Sequence, residues 1–367
     1  MRIVYVLTSL GMGGAERQAL ALAATMAARG HTVAILVLRP PVAEQWPTFL
    51  QVIHLGMRRN LLSFLASMAR GRHFLGQFRP DLVHSHSFHA NFVARLFKLL
   101  NPSLIVLSSV HNIYEGGRSR MFAYRLTDPL ASRVTAVGQA VMDRFVRLKA
   151  VSSRKCIVVA NGADTSEFSP SATRRQSTRA DLGADSKFIW LAAGRLVPAK
   201  DYPNLLRAFQ RVFLLRPDAR LWIAGEDPGG ASAALQAMAT ELGLDASVRW
   251  LGLRRDLPAL LDAADGFVLA SAWEGMPLAA AEAMAMQKLL VATDVGSVRE
   301  LVGSTGLLVP PKAPEALASA MLELMRLDPE HAQALGASAR DRVIAHFSLD
   351  ARADDWEALY EACIDAA

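Results

Sequence analysis

The chain opens with a run of apolar, largely β-branched residues, Ile3-Val4-Tyr5-Val6-Leu7. Gly11, Gly13 and Gly14 follow, then an Ala/Leu-rich stretch from Ala15 to Arg29 closed by Gly30, and then a second apolar run over 32–38. Short continuous apolar runs bounded by turn residues predict strands buried on both faces, and the longer stretch between them predicts a helix. Strand, glycine loop, helix, strand is a βαβ unit, which implies a parallel sheet with covered faces. The alternation continues with strands expected at 81–84, 104–110, 133–137 and 156–160.

After residue 168 the texture changes. The segment SPSATRRQSTRADLG is polar, lacks apolar periodicity and reads as an interdomain linker. A second alternating series then gives strands at 188–193, 220–224, 248–251, 266–270 and 289–292, and the stretch 350–363 reads as an amphipathic helix carrying Trp356 and Tyr360. The expectation is two doubly wound α/β domains, 1–168 and 169–345, with the closing helix of 346–367 returning to the first. A length of 367 residues agrees, being long for one core.

Composition and charge refine this picture. The chain is 52% apolar and 20% charged, which is globular. It holds no uninterrupted apolar run of about 18 residues, so no membrane span is expected, and its start lacks the cleavage site and polar flank of a signal peptide. Cys156 and Cys363 lie far apart without metal-type spacing, which fits a reducing cytoplasm. The net charge of +6 divides into +12 over residues 1–168 and −6 over the rest. Such asymmetry suggests different partners for the two halves, nucleic acid or an anionic membrane among them. The stretch 57–79 mixes Arg58, Arg59, Arg70, Arg72 and Arg79 with Leu61, Leu62, Phe64, Leu65, Phe74 and Phe78. A basic amphipathic helix of that kind either lies on anionic headgroups, from the inner face of the membrane, or covers the sheet of its own domain. The chain lacks aromatic-basic RNA signatures, which argues against nucleic acid.

The glycine loop is not a dinucleotide fingerprint. G-x-G-x-x-G would need a glycine where Glu16 stands, and the end of the second strand reads Leu38-Arg39-Pro40 without the ribose-binding acid. What remains is either a plain turn or a helix N-terminus whose amides, near Gly13 and Gly14, favour an anion. The segment WEGMPLAAAEA, 273–283, says more. It follows the strand at 266–270, and Pro277 suits the first turn of a helix. Glu274 then lies on the loop at the carboxyl end of a parallel strand, where α/β folds bind ligands, and Glu282 on the helix behind it. Two carboxylates so spaced can hold hydroxyls at two ends of a polyol, with the amides of Gly275, Met276 and Leu278 offered to a diphosphate between them. A glutamate is more often merely solvated, but Glu282 sits in an Ala/Met-rich run that suits an idle charge poorly.

With seven residues between Glu274 and Glu282, this segment resembles the E-x7-E signature of the family-4 retaining glycosyltransferases. Further matches come in order along nearly the whole chain. They are GMGGAE, SSVHN around His111, VANGADTSEF at 159–168, AAGRLVPAKDYPNLL at 192–206, IAGEDP at 223–228, TDVGSVRELV at 293–302 and TGLLVPP at 305–311. The resemblance implies the GT-B fold, two Rossmann-like domains facing each other across a cleft, and transfer of a sugar from a nucleoside diphosphate to a glycan or lipid-linked acceptor. It implies that Glu282 bonds the donor ribose, that Glu274 bonds the transferred sugar, and that Arg195 and Lys200 clamp the diphosphate. His111 would contact the sugar near the reacting centre. Taken without their context, Arg195 and Lys200 are ordinary surface cations. Two cations can neutralise a leaving diphosphate as a metal does elsewhere, and the sequence has no Asp-x-Asp motif, so no metal and no other cofactor is expected. His84, His86 and His89 crowd the preceding strand end; three histidines so close can bind a metal or line the acceptor side. Asn161 and Gly162 would shape a loop near the hinge, and Glu226 and Asp227 either border the nucleotide base or form a turn. One departure is Ser297, where the family carries a second glycine. The rival functions are a nucleotide-sugar epimerase of the same fold and a non-catalytic nucleotide-sugar-binding protein.

Overall fold

The computed structural model describes residues 1–11, 13–40, 50–184 and 187–366. They form two compact units, one of 1–162 with 349–367 and one of 163–348.

The first unit runs β1 (Arg2–Leu7), α1 (Gly14–Ala28), β2 (Thr32–Val37), β3 (Gln51–His54), α2 (Leu61–Phe78), β4 (Leu82–His86), α3 (Phe88–Leu100), β5 (Val106–Val110), α4 (Arg118–Thr127), β6 (Arg133–Ala136), α5 (Gln139–Arg147) and β7 (Cys156–Val158). Its seven strands are all parallel, in the order β3-β2-β1-β4-β5-β6-β7. The order reverses direction between β1 and β4, which opens a crevice at their carboxyl ends. Central strands buried on both faces explain the continuous apolar runs, whereas β3 is a half-buried edge strand without such a run. It has no counterpart among the strands expected from sequence.

The second unit contains α6 (Ala172–Asp181), β8 (Phe188–Ala193), α7 (Tyr202–Leu215), β9 (Ala219–Ala224), α8 (Ser232–Glu241), β10 (Val248–Gly252), α9 (Leu257–Ala263), β11 (Gly266–Leu269), α10 (Leu278–Ala285), β12 (Leu289–Thr293), α11 (Val298–Val302), β13 (Leu307–Val309), α12 (Pro314–Leu324) and α13 (Pro329–Phe347). Its six-stranded parallel sheet, β10-β9-β8-β11-β12-β13, reverses between β8 and β11. The unit begins at Ala163 rather than 169 because Ala163 donates to Phe347 O at 2.8 Å and Arg340 of α13 bonds the carbonyls of Thr165 and Phe168.

The expected linker is α6. Apolar periodicity is missing there because arginines do the docking. Arg175 Nη1 donates to the carbonyls of Asp262 at 2.7 Å and Ala264 at 2.8 Å, Arg179 Nη1 donates to Ala263 O at 2.7 Å, and Arg174 pairs with buried Asp262. The guanidinium groups of Arg175 and Arg179 satisfy the open carbonyls at the end of α9, and that of Arg174 neutralises the buried carboxylate of Asp262.

The closing helix α14 (Leu349–Asp365) packs on α1 in the first unit. Trp356, Tyr360 and Cys363 join Ile3, Tyr5 and Leu7 in one core. At about 200 Å² per buried aromatic, Trp356 and Tyr360 contribute roughly 5 kcal/mol each before entropy is counted. Arg29 ties to Asp354 and Glu357, at 2.6 and 2.9 Å.

Candidate active site

The donor-type residues converge at the switch point of the second sheet. At the exit of β8 the chain makes a close approach to β9: a Cβ on Gly225 would lie 1.9 Å from Gly194 O. Tyr202 OH donates to that same carbonyl at 2.6 Å, fixing the Gly194-Arg195 turn. A turn of 3-10 helix, Pro198–Lys200, leads into α7, and the Lys200 stem lies along Gly194. Lys200 Nζ reaches Glu274 Oε1 at 2.5 Å. Glu274 comes from the exit of β11, is buried, and also accepts from Ser271 Oγ at 2.7 Å. The carbonyl of Ser271 is held in turn by Thr293 Oγ1 at 2.7 Å. Arg195, on the same turn, is exposed.

The loop from Glu274 to Met276 is supported from β12's exit. Gly296 has φ +57°, and a Cβ there would come within 2.2 Å of Glu274 O. Ser297 N donates to Gly275 O at 2.8 Å. The glycine demanded by geometry is therefore Gly296. Ser297, at φ −102°, occupies backbone open to any residue, so the departure from the family pattern leaves the loop intact. Pro277 caps α10, Met276 is buried beneath it, and Leu278 begins the helix half-buried. Glu282, on α10, is 1% exposed. Asp227 accepts the N–H groups of Ala231 and Ser232 at 2.7 and 2.9 Å, which makes it the turn residue before α8.

In the first unit three of the four candidate histidines assemble and one does not. His84 and His86 lie tilted against each other at 4.0 Å between ring centroids, and His86 stacks on His111 at 5.1 Å. His84 spends both ring nitrogens internally, 2.7 Å from Tyr360 OH and 2.7 Å from Ser109 Oγ, so it has no nitrogen left for a ligand. His86 Nδ1 and His111 Nε2 share a hydrogen bond of 2.9 Å. His86 Nε2 and His111 Nδ1 are buried without a protein partner among the described residues. Loss of hydration drives all three imidazoles down, His111 to about 4, so the cluster is neutral near pH 7. Neutral His111 can donate or accept one hydrogen bond but brings no charge. His89 stands apart, exposed on α3 against the Phe88 ring. Among the described residues no group of three or more His, Cys, Asp or Glu could hold a metal ion.

Glu115 was not legible as part of this site. It is buried under the His111 loop, accepting from His111 N at 2.9 Å and Tyr124 OH at 2.6 Å, and burial pushes its carboxyl up. Nothing in NIYEGGR distinguishes it from a solvated loop acid. Gly13 is the N-cap of α1, and a Cβ there would meet Glu16 Oε2 at 2.3 Å, so the carboxylate of Glu16 lies over that helix end; a Cβ on Gly14 would meet nothing. Met12 of the same loop lies outside the described residues. Gly162 is required by packing, since its Cβ would sit 2.7 Å from Leu349 Cα. In α2, Phe74 and Phe78 turn into the core while Leu61, Leu62 and Leu65 are exposed by 70, 81 and 55%. The stretch 57–79 thus divides, its C-terminal part covering the sheet and its first turns facing outward. Among the described residues no helix is long and apolar enough to cross a membrane.

Known proteins match this arrangement. The model of Glycosyltransferase Family 4 matches residues 12–167, and that of Glycosyl transferases group 1 matches residues 187–326. D-inositol 3-phosphate glycosyltransferase of Corynebacterium aurimucosum is 31% identical over 304 residues, covering 76% of this chain and 71% of its own. UDP-Gal:alpha-D-GlcNAc-diphosphoundecaprenol alpha-1,3-galactosyltransferase of Escherichia coli is 25% identical over 314 residues, covering 82% and 80%. Among solved structures, Anabaena Alr3699/HepE in complex with UDP and glucose superposes with a TM-score of 0.87 at 22% identity, over 98% of this chain and 99% of that one. Two parallel-sheet units of this order, the acidic pair on β11's exit and α10, and these matches along both halves have one common source: the chain belongs to the family-4 glycosyltransferases and is a glycosyltransferase of the GT-B fold.

Proposed function

We propose that the protein transfers a sugar from a nucleoside-diphosphate sugar to a glycan or lipid-linked acceptor, with retention of configuration and without a metal ion. The observation that carries this reading is the pairing of Lys200 with buried Glu274 at the switch point of the second sheet, on the turn that also carries Arg195 and ahead of the helix that carries buried Glu282. A cation and a carboxylate held there suit the two ends of the bond to be broken. Glu274 orients the hydroxyls of the transferred sugar, Lys200 and Arg195 take the charge that develops on the leaving diphosphate, and Glu282 bonds the ribose. The amides of Gly275, Met276 and Leu278 face the same diphosphate.

The bond from the anomeric carbon to the β-phosphate oxygen breaks, and the acceptor oxygen bonds that carbon on the same face. The acceptor's proton passes to the departing phosphate oxygen. Two fixed cations supply the neutralisation a divalent ion gives elsewhere, and the chain has no Asp-x-Asp motif to hold one. The E. coli relative is named for a UDP-sugar donor and a diphosphoundecaprenol-linked acceptor, which supports a donor and acceptor of these classes.

On this reading the first unit serves the acceptor, and it meets the inner, cytoplasmic face of an anionic membrane through Arg58, Arg59 and the exposed leucines at the start of α2. Each basic residue near such a surface contributes about 1 kcal/mol. The deciding experiment is product analysis: incubation with UDP- and GDP-sugars and a panel of acceptors, with the anomeric proton of the product read by NMR. An inverted product refutes retention. Conversion of the free donor to an epimer, with no acceptor required, refutes transfer.

A further inference from the structure

The carboxyl end of the seven-stranded sheet carries cations that donor chemistry leaves unused. Past the end of β2 the chain reaches Arg39, whose N–H donates to Thr8 O at the exit of β1 (3.1 Å). The segment after β3 runs alongside it. Leu55 N donates to Val37 O at 2.8 Å and Met57 N to Leu38 O at 2.7 Å, which delivers Arg59 to the same edge. On the other side of β1 lies β4, and its exit enters α3, where His89 stands exposed on the first turn. Arg120, on the first turn of α4 after β5, donates to Glu115 O at 2.9 Å and lies 4.9 Å over the Phe88 ring. His89 packs against that same ring at 5.3 Å. The order β3-β2-β1-β4-β5 therefore gathers Arg39, Arg59, His89 and Arg120 round the exit of β1.

The cluster is electrostatically coupled. The His89 imidazole is drawn below its ordinary value first by lost hydration and then by the fields of Arg120, Arg39 and Arg59. Arg39 and Arg59 are exposed, and neither has an ion-pair partner among the described residues. Arg120 shares its field with the buried Glu115 carboxyl, while Arg39 and Arg59 add two further like charges that no carboxylate pairs among the described residues; a bound anion relieves their mutual repulsion.

We propose that Arg39, Arg59 and Arg120 form an acceptor subsite that recognises a phosphate or diphosphate group. The proposal rests on the glycosyltransferase reading above and names the class of acceptor it uses. Planar guanidinium forks match phosphate oxygens with paired, charge-assisted hydrogen bonds, which a neutral sugar hydroxyl cannot reproduce. The same chemistry comes from a soluble sugar phosphate or from a polyprenyl diphosphate lipid.

The test uses the full chain and the ring resonances of His89, assigned through His89→Gln. With glucose 1-phosphate or inorganic pyrophosphate the His89 titration midpoint moves upward, because the anion cancels the arginine field; with glucose it stays. Arg39→Gln with Arg59→Gln, both exposed positions, weakens that response at least tenfold, and Arg120→Gln does likewise, whereas Arg195→Ala leaves it unchanged. A parallel arm measures co-sedimentation with phosphatidylcholine vesicles with and without a polyprenyl diphosphate. A response to the soluble phosphates alone assigns a soluble source, and selective capture by the diphosphate-bearing vesicles assigns a lipid one. No response in either arm, or equal responses in the double variant and the wild type, overturns the proposal. UDP and GDP binding in the same samples is a separate readout: its absence sinks the donor reading and leaves the His89 result standing by itself.

Discussion

Lys200→Ala separates what the Lys200–Glu274 pair does for the fold from what it does for the reaction. Removing one partner of a fully buried ion pair costs about 3–5 kcal/mol, because the other charge stays buried without compensation. Here the Lys200 side chain is 21% exposed and that of Glu274 9%, so water reaches the pair from one side. Glu274 also keeps the 2.7 Å bond from Ser271. Both facts pull the expected cost down to about 1–2 kcal/mol. For a unit of this size that is a fall of roughly 2–8 °C in the thermal midpoint. The effect on turnover has a different origin. Loss of a cation at the leaving diphosphate lowers kcat at least tenfold, about 1.4 kcal/mol of transition-state stabilisation.

The double variant Lys200→Ala with Glu274→Gln distinguishes the two. Neutralising residue 274 removes the stranded charge, so the midpoint recovers towards wild type while activity stays lost. Differential scanning fluorimetry and initial rates with saturating donor read the two quantities on the same samples. Turnover of Lys200→Ala within twofold of wild type refutes the role in leaving-group stabilisation. A double variant no more stable than Lys200→Ala refutes the account of a stranded carboxylate.

Arg195→Ala, at an exposed position, lowers turnover tenfold or more with no change in melting temperature; unchanged donor kinetics would remove Arg195 from the clamp. Activity persists in excess EDTA, and complete loss restored by Mn²⁺ or Mg²⁺ would overturn the metal-independent reading. Tyr360→Phe deletes the hydroxyl shared by Tyr5 at 3.0 Å and His84 at 2.7 Å, leaving a buried ring nitrogen unpartnered, and destabilises by about 1–3 kcal/mol in urea titrations. His111 has a folded value of about 4 against about 6.5 unfolded, so the unfolded chain binds its proton first and stability falls as pH drops from 6.5 towards 4. That loss is at most about 3–4 kcal/mol, and His111→Gln flattens the slope of midpoint against pH over this window.

The second unit was legible because the chemistry expected of it and its local backbone demand the same residues. The order strand, Glu274, Gly-Met-Pro, helix with Glu282 places two acids by topology alone, and the glycines at 225 and 296 are positions where a side chain would strike backbone, while one at 194 would strike the Lys200 stem. Even Ser297 did no harm, since the left-handed residue is its neighbour. The misread segment was α6, where polar docking defeats hydrophobic periodicity. Arginines that bond carbonyls at the end of α9 occupy the positions where an apolar stripe would otherwise point inward, and the resulting composition is that of a linker. β3 escaped for a related reason, being a four-residue edge strand, exposed to half-buried, that carries too little apolar signal.

The first unit was less legible because histidine and arginine take opposite roles there under the same sequence pattern. VHSHSFH offers three imidazoles at short spacing, yet they fall into two different environments. His84 and His86 lie on a central strand and point, two residues apart, to the same face. Burial keeps them neutral, and Tyr360, contributed from the far end of the chain, consumes one nitrogen of His84. His89 lies beyond the strand, on a helix turn, where solvent and three arginines surround it. A two-residue step within a strand preserves the environment, and a three-residue step across a strand end changes it. The cations on this side, Arg39, Arg59 and Arg120, come from two loops and the first turn of α4, and it is the order β3-β2-β1-β4-β5 that brings them to one end of the sheet. Local spacing cannot express that adjacency; sheet order does.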